Sequence, residues 1–242
     1  IKGSSALRAA VLSSLNDEMA TYTGEEIITI LWDMEKFYDN ISITKLVAQA
    51  RKLEYPVVEL ALAIQQHMAP RMIKAHDTYM MCDLPFNGII AGCTQSNRFA
   101  RALLYKVMQE NMECVPRLML RTFVDDVRQT VTGKSRSALL QRAVKAGFKL
   151  AHGLVALGCK ISSKSVILAS TAPLRLGAQR ALALRGIKCR TALHTKDLGV
   201  GANAGVRRCK VHLIHRITSV RNRVVRIRVM SKAVRTAGRL FN

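Results

Sequence analysis

The stretch Leu118-Met119-Leu120-Arg121-Thr122-Phe123-Val124-Asp125-Asp126-Val127-Arg128-Gln129-Thr130-Val131-Thr132-Gly133 decides the reading of this chain. Two β-prone runs, 118–122 and 127–132, flank the tetrad Phe123 to Asp126, and Gly133 closes the second. That pattern predicts a β-hairpin with two adjacent carboxylates at its tip. Upstream, Ile27-Ile28-Thr29-Ile30-Leu31-Trp32 is a further β-prone run, ending in Asp33. If the two strand ends pair, Asp33, Asp125 and Asp126 come within a few ångströms of one another. Like charges held that close repel unless a cation sits among them. Hard carboxylate oxygens select Mg²⁺, with Mn²⁺ as a substitute. Two such ions would activate a 3′ hydroxyl and steady a departing pyrophosphate. An Asp-Asp pair is also a common solvated turn, because Asp hydrogen-bonds its own backbone. The order of the surrounding features has to separate these readings.

Charge is distributed unevenly along the 242 residues. Residues 1–126 hold 13 Lys/Arg against 15 Asp/Glu; residues 127–242 hold 25 against the single acid Asp197, for a net charge of +22. The second half is therefore expected to lie against a polyanion, which charge alone does not identify. Hydrophobic residues make up 49% of the chain, enough to bury a core and to argue against disorder. No apolar stretch approaches a membrane span and none resembles a signal peptide. An intracellular location is expected, nucleus and cytoplasm being indistinguishable. The chain opens at Ile1, which reads as a piece of something longer. Six cysteines form no CxxC pair and are expected as reduced thiols. Cys189, His194, Cys209, His212 and His215 fit no standard zinc spacing and read as scattered residues.

Periodicity predicts helices over 5–20, from Ser42 or Thr44 to 52, over 57–67, 94–112 and 137–157, and along the tail from 206. Strands are predicted to Asp33, at the hairpin, over 165–169 and near 198–200, with mixed signals over 72–86 and a weak pattern beyond Pro173. The layout is α+β, with helices packed on one face of a small antiparallel sheet.

In that order the motifs resemble the palm of a reverse transcriptase, of the non-LTR retrotransposon and group II intron lineage. Asp33-Met-Glu-Lys-Phe-Tyr38-Asp39 matches the family's strand-ending Asp followed by an aromatic-Asp. Gly88-Ile-Ile-Ala-Gly92-Cys-Thr-Gln-Ser96-Asn matches its glycine turn into a long helix. Phe123 to Asp126 matches the aromatic-x-Asp-Asp hairpin, Gly158-Cys-Lys-Ile-Ser-Ser-Lys164-Ser resembles the family's Gly-x-x-x-Asn/Ser-x-x-Lys turn with one residue fewer before the lysine, and Leu198-Gly199-Val200 resembles the turn before the thumb. The resemblance spans roughly residues 5–205. It implies partial fingers and the first palm strand over 1–32, a palm over 33–172, and a palm edge with a basic, thumb-like helical region over 173–242.

The resemblance further implies Asp33, Asp125 and Asp126 as ligands of two Mg²⁺, and Lys164 as the group that neutralises pyrophosphate. Phe37, Tyr38, Ala91 and Gly92 would meet the nucleotide, and Arg207, Arg208, Lys210, Arg221 and Arg223 the nucleic acid. Partners would be an RNA template, a DNA or RNA primer and dNTPs, with no membrane and no evident protein partner. Tyr38, five residues after Asp33, is either a gate against a ribose 2′ hydroxyl or a half-buried ring packed behind a strand. Ala91 stands where the family has glutamine, and Ser96-Asn97 where it has Ser-Pro. The expected activity is RNA-directed DNA polymerisation. The alternatives are an RNA-directed RNA polymerase and a degenerate, non-catalytic palm that binds RNA.

Overall fold

The computed structural model describes residues 5–82, 85–123, 125–198, 200–204 and 210–233. Helix α1 (Ala6–Tyr22) begins at Ser5, whose hydroxyl accepts the Arg8 N–H, and leads into strand β1 (Glu26–Trp32). Ser42 caps α2 (Ile43–Lys52), and Pro56 precedes α3 (Val57–Met68). A two-stranded hairpin follows, β2 (Met72–Ala75) with β3 (Thr78–Met81), then the long α4 (Ser96–Met112). β4 (Leu118–Phe123) and β5 (Asp126–Gly133) form the carboxylate hairpin, and Ser135 caps α5 (Arg136–Ala156). The chain continues through β6 (Val166–Ala169), α6 (Ala172–Ala183), β7 (Arg190–Thr191), the pair β8 (Thr195–Asp197) and β9 (Val200–Ala202), and α7 (Val211–Ala233).

The main sheet runs β4-β5-β1-β6-β7. It is antiparallel except where β7 joins β6 in parallel. Alternation along the strands sorts its two faces. Ile28, Ile30, Trp32, Val127, Val131 and Ile167 point to one side, into a core shared with Phe99 and Leu103 of α4, Leu150 and Leu154 of α5, and Leu182 of α6. Ile27, Val166 and Leu168 point to the other, against Ala20 of α1 and Ala202 of β9. The helical layer over 43–183 therefore lies on one face, while α1 and the β8–β9 pair lie on the opposite one.

Two buried polar networks fix this arrangement. On the helical side, Trp32 Nε1 donates to Gln129 Oε1 (3.2 Å), Gln129 Nε2 to Asn111 Oδ1 (2.8 Å), and Asn111 Nδ2 to the Ala146 carbonyl (2.8 Å). That chain ties β1, β5, α4 and α5 together with each amide satisfied. On the other side, the Arg128 guanidinium pairs with Asp17 of α1 (2.6 Å) and Asp197 of β8 (2.8 Å), every partner at most 10% exposed. Burial raises the Asp17 carboxyl above its usual range, against the pull of Arg128.

Helix α6 has no counterpart in the sequence reading, which found only a weak pattern beyond Pro173. Proline in a first helical turn sacrifices only an N–H that would lack an intrahelical partner there. Leu174, Ala178 and Leu182 then recur every fourth residue and are buried.

Candidate active site

Register places the carboxylates. β1 and β5 pair with Trp32 opposite Val127, so continuing each strand by one residue sets Asp33 across from Asp126. Both fall on the face that carries Thr29 and Thr130, whose hydroxyls share a hydrogen bond at 3.0 Å. Phe123 pairs with Asp126, and Asp125 lies in the turn at the hairpin tip.

Asp33 is fixed through its backbone. Its N–H donates to Ser165 Oγ (3.1 Å) and its carbonyl accepts the Ser162 N–H (2.8 Å). The next residue, Met34, bridges to Ile161. The Gly158–Ser165 turn is thereby clamped to the end of β1, which sets Lys164 beside the carboxylates. Asp33, Asp126 and Lys164 line one cavity of about 240 Å³ between the strand ends, α1 and the β8–β9 pair, with Arg121, Arg190 and Lys196 also on its wall.

The electrostatics of the cluster are those of crowded acids. Partial withdrawal from water, then the negative fields of Asp125, Asp197 and Asp33, push the Asp126 carboxyl up to about 6. Burial and the Asp125 charge push the Tyr38 phenol above its usual range. Among the described residues, no three His, Cys, Asp or Glu side chains stand ready in a metal-binding arrangement. The donors that share this field are nonetheless all carboxylates, the oxygen chemistry suited to Mg²⁺.

The glycine turn is pinned against the Tyr38 segment. Ile89 N–H donates to the Tyr38 carbonyl (2.9 Å), and Gly88 N–H to the Ile41 carbonyl (2.8 Å). Gly88 has φ +87°, and a Cβ there would stand 2.9 Å from the Asp39 carbonyl oxygen. Gly92 has φ +88° with open space around it, so only its backbone conformation calls for glycine. Ala91 and Gly92 are exposed. The Tyr38 hydroxyl donates to Asn97 Oδ1 (2.9 Å), so the departure at position 97 orients the ring. Phe37, assigned to the nucleotide, is instead a core residue, 4% exposed.

Sequence reasoning overlooked His67. It is buried on α3, its Nδ1 accepts the Ile90 N–H at 3.0 Å, and its ring packs edge-on against Phe99. Burial, then the Arg71 charge, hold this imidazole below its ordinary pKa. The signal in the sequence was one histidine on an apolar helical stripe, which does not tell an anchor from filler. Asp197 did stand out, as the lone acid of the basic half, but its partner on β5 is visible only in the fold.

Of the basic residues assigned to nucleic acid, Lys210, Arg221 and Arg223 are exposed at the start of α7 and along it. Arg207 and Arg208 lie outside the described residues. Cys189 is buried in the core, its thiol pushed up to about 11 by burial. His194 and His212 pack edge-on, ring centroids 5.6 Å apart, and Cys209 lies outside the described residues. No helix among the described residues is long and apolar enough to cross a membrane.

These strands, the helical layer and the basic C-terminal helix have the reverse-transcriptase fold, as comparison with solved structures shows. No protein-family profile matches the chain, and no curated protein does. Apo telomerase from Candida tropicalis superposes on 86% of it with a TM-score of 0.57 at 13% identity when truncated from its C-terminal domain, and on 88% with the same score at 12% identity when not so described. Telomerase from the same organism in complex with the TWJ fragment of telomeric RNA superposes on 85% with a TM-score of 0.53 at 14% identity. The chain spans 33–40% of the length of these proteins.

Proposed function

We propose that this chain is the RNA-directed DNA polymerase domain of a retroelement of the non-LTR or group II intron type, adding dNTPs to a primer 3′ end on an RNA template. One observation carries the reading: on a reverse-transcriptase fold, Asp33 and Asp126 face each other across paired strands, with Asp125 in the turn between. The three carboxylates would hold two Mg²⁺, which supply Lewis-acid activation of the 3′ oxygen and neutralise the leaving pyrophosphate. Lys164, on the same cavity, offers a cation to the departing phosphates. Tyr38, held by Asn97, blocks the space of a ribose 2′ hydroxyl and so favours deoxynucleotides. The exposed cations of α7 track the phosphate backbone without reading sequence.

The test is Mg²⁺-dependent incorporation of labelled dNTP on poly(rA)/oligo(dT). Wild type should extend the primer and Asp125→Asn should not; equal signals would remove the enzymatic reading. In the same assay with NTPs, Tyr38→Ala should gain ribonucleotide incorporation, whereas an RNA polymerase would use NTPs without that change.

One observation favours the second reading, a palm that binds RNA without copying it. Ala91 is exposed on the turn and cannot make the hydrogen bonds of the glutamine it replaces. Salt-sensitive RNA binding without extension, unaltered by Asp125→Asn, is the outcome that reading requires.

A further inference from the structure

A second cavity, of about 460 Å³, is lined by α5, the turn after α6 and the segments that follow Asp33 and precede Lys164, and shares no lining residue with the carboxylate cavity. That is the size of a small-ligand site. Phe148 and Val155 of α5 line it, 40% and 60% exposed, with Ile187 beyond α6. Phe148 and His152, one helical turn apart, present their rings 6.1 Å apart at an interplanar angle of 37°. A half-exposed aromatic ring with an imidazole beside it offers a stacking surface for a planar ligand.

The rim supplies the charge. Arg185 and Lys188 border the cavity, and Arg185 Nη1 donates to the Ala181 carbonyl at 2.8 Å, which holds the guanidinium in place with further N–H groups to give. Glu35 lines the same cavity. Its backbone is fixed on both sides, the N–H donating to the Lys160 carbonyl (2.8 Å) and the carbonyl accepting from Asn40 Nδ2 (2.7 Å). No carboxylate of the second half competes for these cations, because Asp197 is committed to Arg128.

We propose that this cavity is a subsite for single-stranded nucleic acid running over the outer helical layer, separate from the palm cleft. One unstacked base lies against Phe148 and His152, and Arg185 and Lys188 hold the flanking phosphates. Glu35 accepts a hydrogen bond from the exocyclic amine of the base. A carboxylate only accepts, so the amines of adenine, cytosine and guanine suit it, whereas uracil and thymine offer only an N3–H flanked by two carbonyl oxygens that the carboxylate repels. An acidic peptide would satisfy the cations but be repelled by Glu35. Nothing in this subsite depends on turnover at the palm carboxylates, so an inactive chain tests it equally.

The experiment is ultraviolet cross-linking of the full chain to a labelled single-stranded (CA)₆ RNA, with the adducts mapped by mass spectrometry. An adduct on the peptide carrying Phe148 and His152 is expected. Arg185→Glu/Lys188→Glu should reduce that adduct while adducts elsewhere persist. Unlabelled (CA)₆ should compete for it at least ~5-fold better than U₁₂, as expected for one stacked, amine-bonded base, and Glu35→Gln should abolish that preference. The proposal falls if adducts map only to other elements, or if the charge-reversed chain, folded by circular dichroism, labels α5 as wild type does. It falls equally if poly-glutamate or AMP competes as well as (CA)₆. Should the double variant not fold, the wild-type adduct map and the competition series decide by themselves.

Discussion

Asp126 carries a conflict between chemistry and stability. Its carboxyl titrates near 6, above the unfolded value of about 4, so the folded state binds the proton more tightly. The resulting destabilisation is absent below pH 4 and fully present above pH 6. Asp126→Asn should therefore raise the thermal midpoint at pH 8, leave it unchanged at pH 4, and remove polymerase activity. Mg²⁺ should raise the wild-type midpoint at pH 8 and leave that of Asp126→Asn nearly unmoved; scanning calorimetry in Mg²⁺ and in EDTA measures both. His67 has the opposite sign. Its imidazole is held neutral, so the fold loses stability as pH falls below the unfolded value of about 6.5. Protonation also removes the acceptor for the Ile90 N–H. The hydrogen-exchange protection of the Ile90 amide, corrected for the intrinsic rate, should fall as pH drops below 6.5, and in His67→Phe it should be low throughout.

Among elements, the β8–β9 pair is joined to the sheet by an ion triad rather than by strand pairing. Arg128→Met would strand Asp17 and Asp197 as unpaired buried carboxylates, at a cost of about 3–5 kcal/mol. Asp17→Leu/Arg128→Met/Asp197→Leu should recover most of it; urea unfolding of the two variants measures the difference. The elements that sequence exposed most clearly were those with strong local signals: the β1 run, the carboxylate hairpin, and α2 and α5 with their serine caps. Less legible were elements whose identity is tertiary. The two- and three-residue strands β7 to β9 carry too few residues for an alternation pattern. In α6 the buried stripe is only Leu174, Ala178 and Leu182, too thin a signal beyond Pro173.

At the scale of the whole molecule, the face on which Asp33 and Asp126 stand was legible once strand phase was known, since alternation leaves each residue one side of a sheet. What covers that face was not. The sequence reading put the helices on one side, yet α1 crosses to the other, because Ala20 meets Ile27 there and Asp17 meets Arg128. Neither pairing has a periodic signature. The cavity at Phe148 was equally invisible, being assembled from α5, the turn after α6 and the residue two beyond Asp33.

The register of β1 against β5 also governs which lengths of chain evolution can try. Deleting one codon at the start of 127–132 would turn every following side chain to the other face of the sheet, sending Arg128 among the leucines and Val131 towards the buried carboxylates of Asp17 and Asp197. Insertions and deletions in descendants of this gene should accordingly crowd into the connections and spare both strands. Frame-preserving length changes would then be the marker that separates maintained copies from decaying ones.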